Sequence, residues 1–174
     1  VRIPVPAALS RSLSRSLRRE RPDLDVRRGE RLLAWAETSV GLVGGTREAL
    51  YLPGRRLAWE EVESAHWDRD TTELLVREVC PPGVPSPVHP ILLAEPGRLL
   101  ELVRERVSAS VVLTRHVPVS RGRGLRVVAR RPASGDRALT WGYVLDEGLD
   151  PADPAVREAA ERGLAAARAE VEPG

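Results

Sequence analysis

Between Arg28 and Val79 the apolar residues come in short runs, and the turn residues between them leave no room for a helix. Strands spaced this tightly must pair antiparallel, because a parallel crossover needs a dozen or more residues. The expected strands are 31–38, 41–46, 48–52, 55–59, 62–68 and 72–79, broken at Gly41, Pro53-Gly54 and Asp68-Arg69-Asp70. Period two is clearest in the last, where Leu74 and Val76 alternate with Leu75 and Arg77 to give one apolar and one mixed face. Trp35, Trp59 and Trp67 all lie in this stretch. Trp59 and Trp67 are expected to anchor the core, and a buried indole N–H needs an acceptor.

The segment Cys80 to Pro90 holds five prolines in eleven residues, so it should run as a stiff extended loop on the surface, with a proline-rich ligand as the alternative. Ile91 to Ala94 fits a seventh, short buried strand. In the following RLLELVRERVSASVV, Leu99, Leu100, Leu102, Val103 and Val107 gather on one helical face and Arg98, Glu101, Arg104 and Glu105 mostly on the other. This helix should cap the sheet. After Thr114 the period returns to two, with Val117 and Val119 beginning a short strand. Leu125, Val127 and Ala129 mark another, and Leu139, Trp141, Tyr143 and Leu145 a third, with a hairpin turn at 132–135. Asp150 and Asp153 are candidate helix caps and Pro154 suits a first helical position. The closing helix is apolar at Val156, Ala160, Leu164, Ala167 and Val171. No repeat of fixed period is visible.

The first eight residues should be irregular. Beyond them Leu9, Leu13 and Leu17 form a narrow stripe flanked by Arg11, Arg15, Arg18 and Arg19. The expectation is a short helix docked on its own domain or on a second subunit, ended by Pro22. Contact with an anionic membrane or nucleic acid is the alternative. The three regions are therefore a basic arm over 1–27, a β-rich domain over 28–112 and a strand–helix extension over 113–174, expected to pack on the same core.

With 42% apolar and 30% charged residues, the chain of 174 residues has the composition of an ordinary folded domain. No run approaches the roughly 18 apolar residues of a membrane span. All 27 basic residues are arginine, and lysine, phenylalanine and methionine are absent. Guanidinium forks suit phosphate and carboxylate, but GC-rich codon usage explains the same bias. The net charge of +2 conceals blocks: 1–31 and 111–137 are basic, 32–110 and 138–174 acidic. Such blocks pair internally or steer an anionic partner. A single cysteine, Cys80, excludes an internal disulfide and suits a reducing compartment, so a cytoplasmic location is expected.

The order RRGERLLAWA, GTREALYL, RRLAWEEVESAHWD resembles the bacterial pleckstrin-homology-like (PH-like) and GRAM-like domains, in which a "GE.vL" strand, a "T...L.L" strand and an "i.W..I" strand follow one another. The ERVSASVV helix and the late DEGLDPADP segment are similar to those of a group of actinobacterial proteins of like length. The resemblance, over 28–112, implies an α+β fold: a PH-like antiparallel β-barrel or sandwich capped by a helix, with a C-terminal β-strand plus helix extension. It also implies an adaptor role without catalysis, the partner being an unidentified protein or a second copy in a homodimer. Lipid-binding PH domains carry Lys or Arg in the first hairpin loop. Here that loop is Glu37-Thr38-Ser39-Val40-Gly41, acidic and short, so no phosphoinositide-binding residue carries over.

No residue set points to catalysis, a cofactor or a metal. His66, His89 and His116 lack ligand spacing. Gly41 to Thr46 lacks the lysine of a phosphate loop, and Gly44-Gly45 reads as a bulge or a close backbone approach. Cys80 has no base beside it in sequence. Glu60-Glu61 and Asp146-Glu147 read as strand-edge or capping carboxylates. The strongest lead is basic: Arg121, Arg123, Arg126, Arg130 and Arg131 fall on one loop and strand, with Arg126 and Arg130 on one face by period two. The stripe either pairs with the acidic 146–161 region or binds nucleic acid or an anionic membrane. Sheet readers of nucleic acid add stacking aromatics, which this segment lacks.

Overall fold

In the computed structural model, residues 23–81, 84–120, 122–134 and 138–171 are described, and their fold is α+β. The basic helix expected over 9–19, Arg121 and part of the 131–139 loop lie outside them. Four strands, β1 (Ala34–Thr38), β2 (Gly41–Gly45), β3 (Ala49–Leu52) and β4 (Arg55–Ala58), form an antiparallel meander. After a single 3-10 turn at Trp59–Glu61 come β5 (Val62–Asp68), β6 (Glu73–Glu78) and β7 (Val88–Leu92), a second antiparallel meander. Helix α1 (Leu99–Ser110) leads straight into a third sheet of β8 (Val111–Ser120), β9 (Arg123–Arg130) and β10 (Thr140–Leu145), and α2 (Pro154–Val171) closes the chain. The three sheets stay separate, and no ladder among the described residues closes them into a barrel.

The first two sheets and α1 share one core. Val43, Leu50 and Leu57 from the first sheet meet Leu74, Val76 and Ile91 from the second, under Leu99 and Leu102 of α1. Trp59 sits among them, 1% exposed, and its Nε1–H donates to the Thr46 carbonyl at 3.1 Å. Trp35 and Trp67 are only half-buried, so Trp59 alone of the three is enclosed. Gly44-Gly45 is a close approach, since the β1–β2 register runs without a shift. A Cβ on Gly44 would stand 2.6 Å from Leu32 Cδ1, and one on Gly45 2.6 Å from Leu102 Cδ2.

Two boundaries differ from expectation. The proline-rich segment ends in a strand, β7, that includes Pro90. Leu93 N–H donates to Thr72 O and Glu78 N–H to Pro87 O, so odd-numbered residues of β7 face β6 and the Pro90 nitrogen faces outward. An outward position on an edge strand needs no donor, and proline there blunts the edge. Helix α1 stops at Ser110, and β8 begins at Val111 rather than after Thr114, because the β-branched pair Val111-Val112 and Thr114 prefer extended backbone.

The C-terminal region builds a second core rather than joining the first. Leu125 and Val127 on one face of β9 pack against Ala159, Ala160 and Ala167 of α2. Pro154 opens α2, and Asp153 Oδ1 accepts the Ala155 N–H at 2.8 Å, a capping bond of the expected kind. Gly163, not Val171, completes the inner face; Val171 is exposed. The opposite face of the third sheet meets the first unit, where a Cβ on Gly142 would stand 2.6 Å from Val79 Cγ1.

Candidate functional site

The arginine stripe expected on β9 divides. Arg123 is exposed and its Nη1 donates to the Gly148 carbonyl at 3.2 Å. Arg126 is exposed, with no side-chain partner among the described residues. Arg130 is 5% exposed and cannot belong to a surface stripe. Period two did place it on the face of Arg126, but that face is covered at its Arg130 end by β5 and α1. There Nη2 donates to the Glu63 carbonyl at 2.6 Å, and Nη1 to Ser110 Oγ at 2.8 Å and to Val107 O at 3.2 Å. Arg130 thus neutralises the carbonyl end of α1 and ties the third sheet to the second. Burial pushes its pKa down, opposed by the Glu63 charge. Burial likewise raises the Glu63 carboxyl, against the Ser86 hydrogen bond and the charges of Arg77 and Arg130. The acidic 146–161 region forms no ion pair with these arginines among the described residues. Instead Asp146 Oδ2 accepts the Gly124 N–H at 2.8 Å and stands 4.0 Å from His116 Nε2.

A second polar cluster was not legible in sequence. Glu30, with a side chain 7% exposed, accepts from Thr46 Oγ1 at 2.7 Å, Tyr51 Oη at 3.0 Å and Arg56 Nη2 at 2.6 Å. Burial pushes its carboxyl up, but these three donors and the Arg56 charge outweigh burial and hold it below the usual glutamate range. Arg56 is raised for the matching reason: burial lowers it, and its bonds to Glu30 and Tyr51 more than compensate. The cluster pins the segment before β1 onto the first sheet. Thr46 Oγ1 also accepts the N–H groups of Glu48 and Ala49, fixing the β2–β3 turn.

The remaining chemistry-bearing residues take local roles. His89 Nε2 lies 2.5 Å from Glu78 Oε1, and Arg55 Nη2 2.6 Å from Glu78 Oε2, so one buried carboxylate joins β4, β6 and β7. Glu61 Oε2 accepts the Ala58 N–H at 2.9 Å, a capping role of the kind expected. Glu60 is buried instead, and its Oε2 has no partner among the described residues. Cys80 is a free, half-buried thiol on a cavity of about 500 Å³ with Glu63, Arg77 and Tyr143. No group of three or more His, Cys, Asp or Glu among the described residues is arranged to hold a metal ion.

Arg131 has different company. Its N–H donates to the Ser110 carbonyl at 2.7 Å, and it lines a cavity with Arg47 and Arg106, neither of which the sequence singled out. The three come from a turn, a helix and a loop separated by dozens of residues, so no local pattern reports them. The hairpin loop before β2 is as short as expected: Thr38 Oγ1 donates to Gly41 O at 2.8 Å and accepts the Val40 N–H. No helix among the described residues is long and apolar enough to cross a membrane. Comparison with known protein families, with curated proteins and with solved structures found no match.

Proposed function

We propose that the chain is a non-enzymatic binding module of the PH-like, GRAM-like kind, whose partner is another protein or a second copy of itself. One observation carries the reading: four antiparallel strands, then three, then a helix laid over the core they share, in that order along the chain. Folds of this kind display loops and edges around a rigid sheet pair, and function resides in what those surfaces grip. The outer face of β7 is one such surface, with Val88 41% and Leu92 57% exposed on either side of Pro90.

The test is photo-crosslinking from positions 88 and 92 in cells that express the chain, with light scattering on the pure protein. A single crosslinked partner, lost in Leu92→Glu, supports the module; a dimer mass identifies that partner as a second copy. A monomer without crosslinks from either position overturns it. The second reading, a nucleic-acid or anionic-membrane binder, retains Arg123, Arg126 and Arg131 as exposed cations. Binding to DNA or anionic vesicles that falls steeply with salt and is lost in Arg126→Ala would favour it.

A further inference from the structure

Arg47, Arg106 and Arg131 converge on a cavity of about 250 Å³ between the β2–β3 turn, the last turns of α1 and the residues after β9. Each is set on ordered backbone. Arg47 projects from the turn that the buried Thr46 hydroxyl organises. Arg106 stands on α1, and Arg131 is held by its bond to Ser110 and followed by the buried Pro132. The enclosed Trp59 ring and Ser110 complete the wall, and no carboxylate lines the cavity among the described residues.

Arg47 and Arg131 have no ion-pair partner among the described residues. Arg106 Nη2 pairs with the exposed Glu105 at 3.4 Å, and the buried Arg106 Nε has no acceptor among the described residues. Glu48 and Glu60 line a neighbouring cavity, which shares Pro132 and Ala133 with this one. Three guanidinium groups in one concavity repel one another unless an anion joins them. A single carboxylate occupies one guanidinium fork. A group with three oxygens and at least two charges matches all three. The volume falls below that of pockets enclosing whole drug-sized ligands, so it suits the charged end of a molecule.

We propose that this cavity binds a phosphoryl group carrying at least two negative charges, gripped by Arg47, Arg106 and Arg131. The inference does not rest on the module reading, since it needs neither a protein partner nor the face of β7.

Thermal unfolding of the full chain with inorganic pyrophosphate, against sodium chloride of equal ionic strength, tests it. A saturable rise in Tm is expected with pyrophosphate alone. Arg47→Ala/Arg131→Ala should weaken that binding by about ten-fold or more. Arg106→Gln is the second variant, should the double variant fold poorly, and Arg69→Ala, on the exposed turn between β5 and β6 and outside the cavity, should bind as the native chain does. Sedimentation with phosphatidic-acid vesicles separates the sources: arginine-dependent retention that pyrophosphate competes away assigns the group to a lipid, and no retention assigns it to a soluble ligand. No saturable response to pyrophosphate, or one undiminished in both variants, overturns the proposal.

Discussion

The two halves of the molecule bury their sheets with different materials. The first unit closes around Trp59 and a set of leucines from two sheets and a helix. The second closes by nearness: Ala159, Ala160, Gly163 and Ala167 let α2 lie directly on Leu125 and Val127. A core filled by volume is weak against truncation, because the void persists. A core built on close approach is weak against enlargement, because nothing can yield. The same substitution type should therefore act oppositely in the two halves.

The largest effect is expected from Trp59→Ala, which removes the ring at the centre of the first core and leaves the Thr46 carbonyl without its donor. A loss of about 3–5 kcal/mol is expected by denaturant unfolding. A loss below about 1 kcal/mol would mean that this core is not organised by volume.

Next comes the joint. Arg130→Met keeps much of the side-chain bulk but leaves the Glu63 carbonyl without its Arg130 donor and takes one bond each from Ser110 Oγ and Val107 O, which keep their bond to each other. It should cost about 2–3 kcal/mol. It should also uncouple the halves, so that hydrogen exchange in β8–β10 and α2 no longer follows that in β1–β7. Uniform protection across both halves would show that they are held together by other contacts, such as Val79 against Gly142.

Arg130 also marks where sequence reasoning stops. Period two read the strand and the residue's face correctly, and with the helical spacing it gave the order of the ten strands and two α-helices among the described residues. Alternation says which residues share a face, but only tertiary packing says what covers it. The same limit hid the Glu30 cluster and the trio of Arg47, Arg106 and Arg131, whose members meet only once the sheets are folded. Turn and cap chemistry was legible because it is local: Asp153 before Pro154, and the tight turn at Ser39-Val40. The close approach at Gly44-Gly45 was legible only as one of two alternatives, since a bulge leaves the same trace.

Glu30 gives a pH handle on the first unit. Its folded pKa is depressed, so its contribution is complete above the ordinary glutamate value and is lost as pH falls through the lower, folded one. Glu30→Gln should cost about 1–2 kcal/mol at neutral pH. It should cost less as the solution is acidified, with the two stability curves converging. Parallel curves down to strong acid would remove Glu30 from the acid limb.

The smallest effect is the sharpest test of the contrast. In an exposed helix interior, glycine to alanine stabilises by roughly 0.5–1 kcal/mol, because the unfolded chain loses freedom. At Gly163 the added Cβ would stand 2.7 Å from Val117 Cγ2 and 3.0 Å from Val127 Cγ2, both on strands that α2 covers. Both neighbours are β-branched and their rotamers are stiff, so the helix must lift or the sheet must shift. Overpacking of this kind costs about 1–3 kcal/mol, which exceeds the propensity gain. Gly163→Ala should therefore destabilise the protein by about 1 kcal/mol, where Ala166→Gly, on the exposed face of the same helix, loses a similar amount for the opposite reason. If Gly163→Ala raised the melting temperature instead, α2 would have room to spare, and the second core would be loosely filled rather than closely approached.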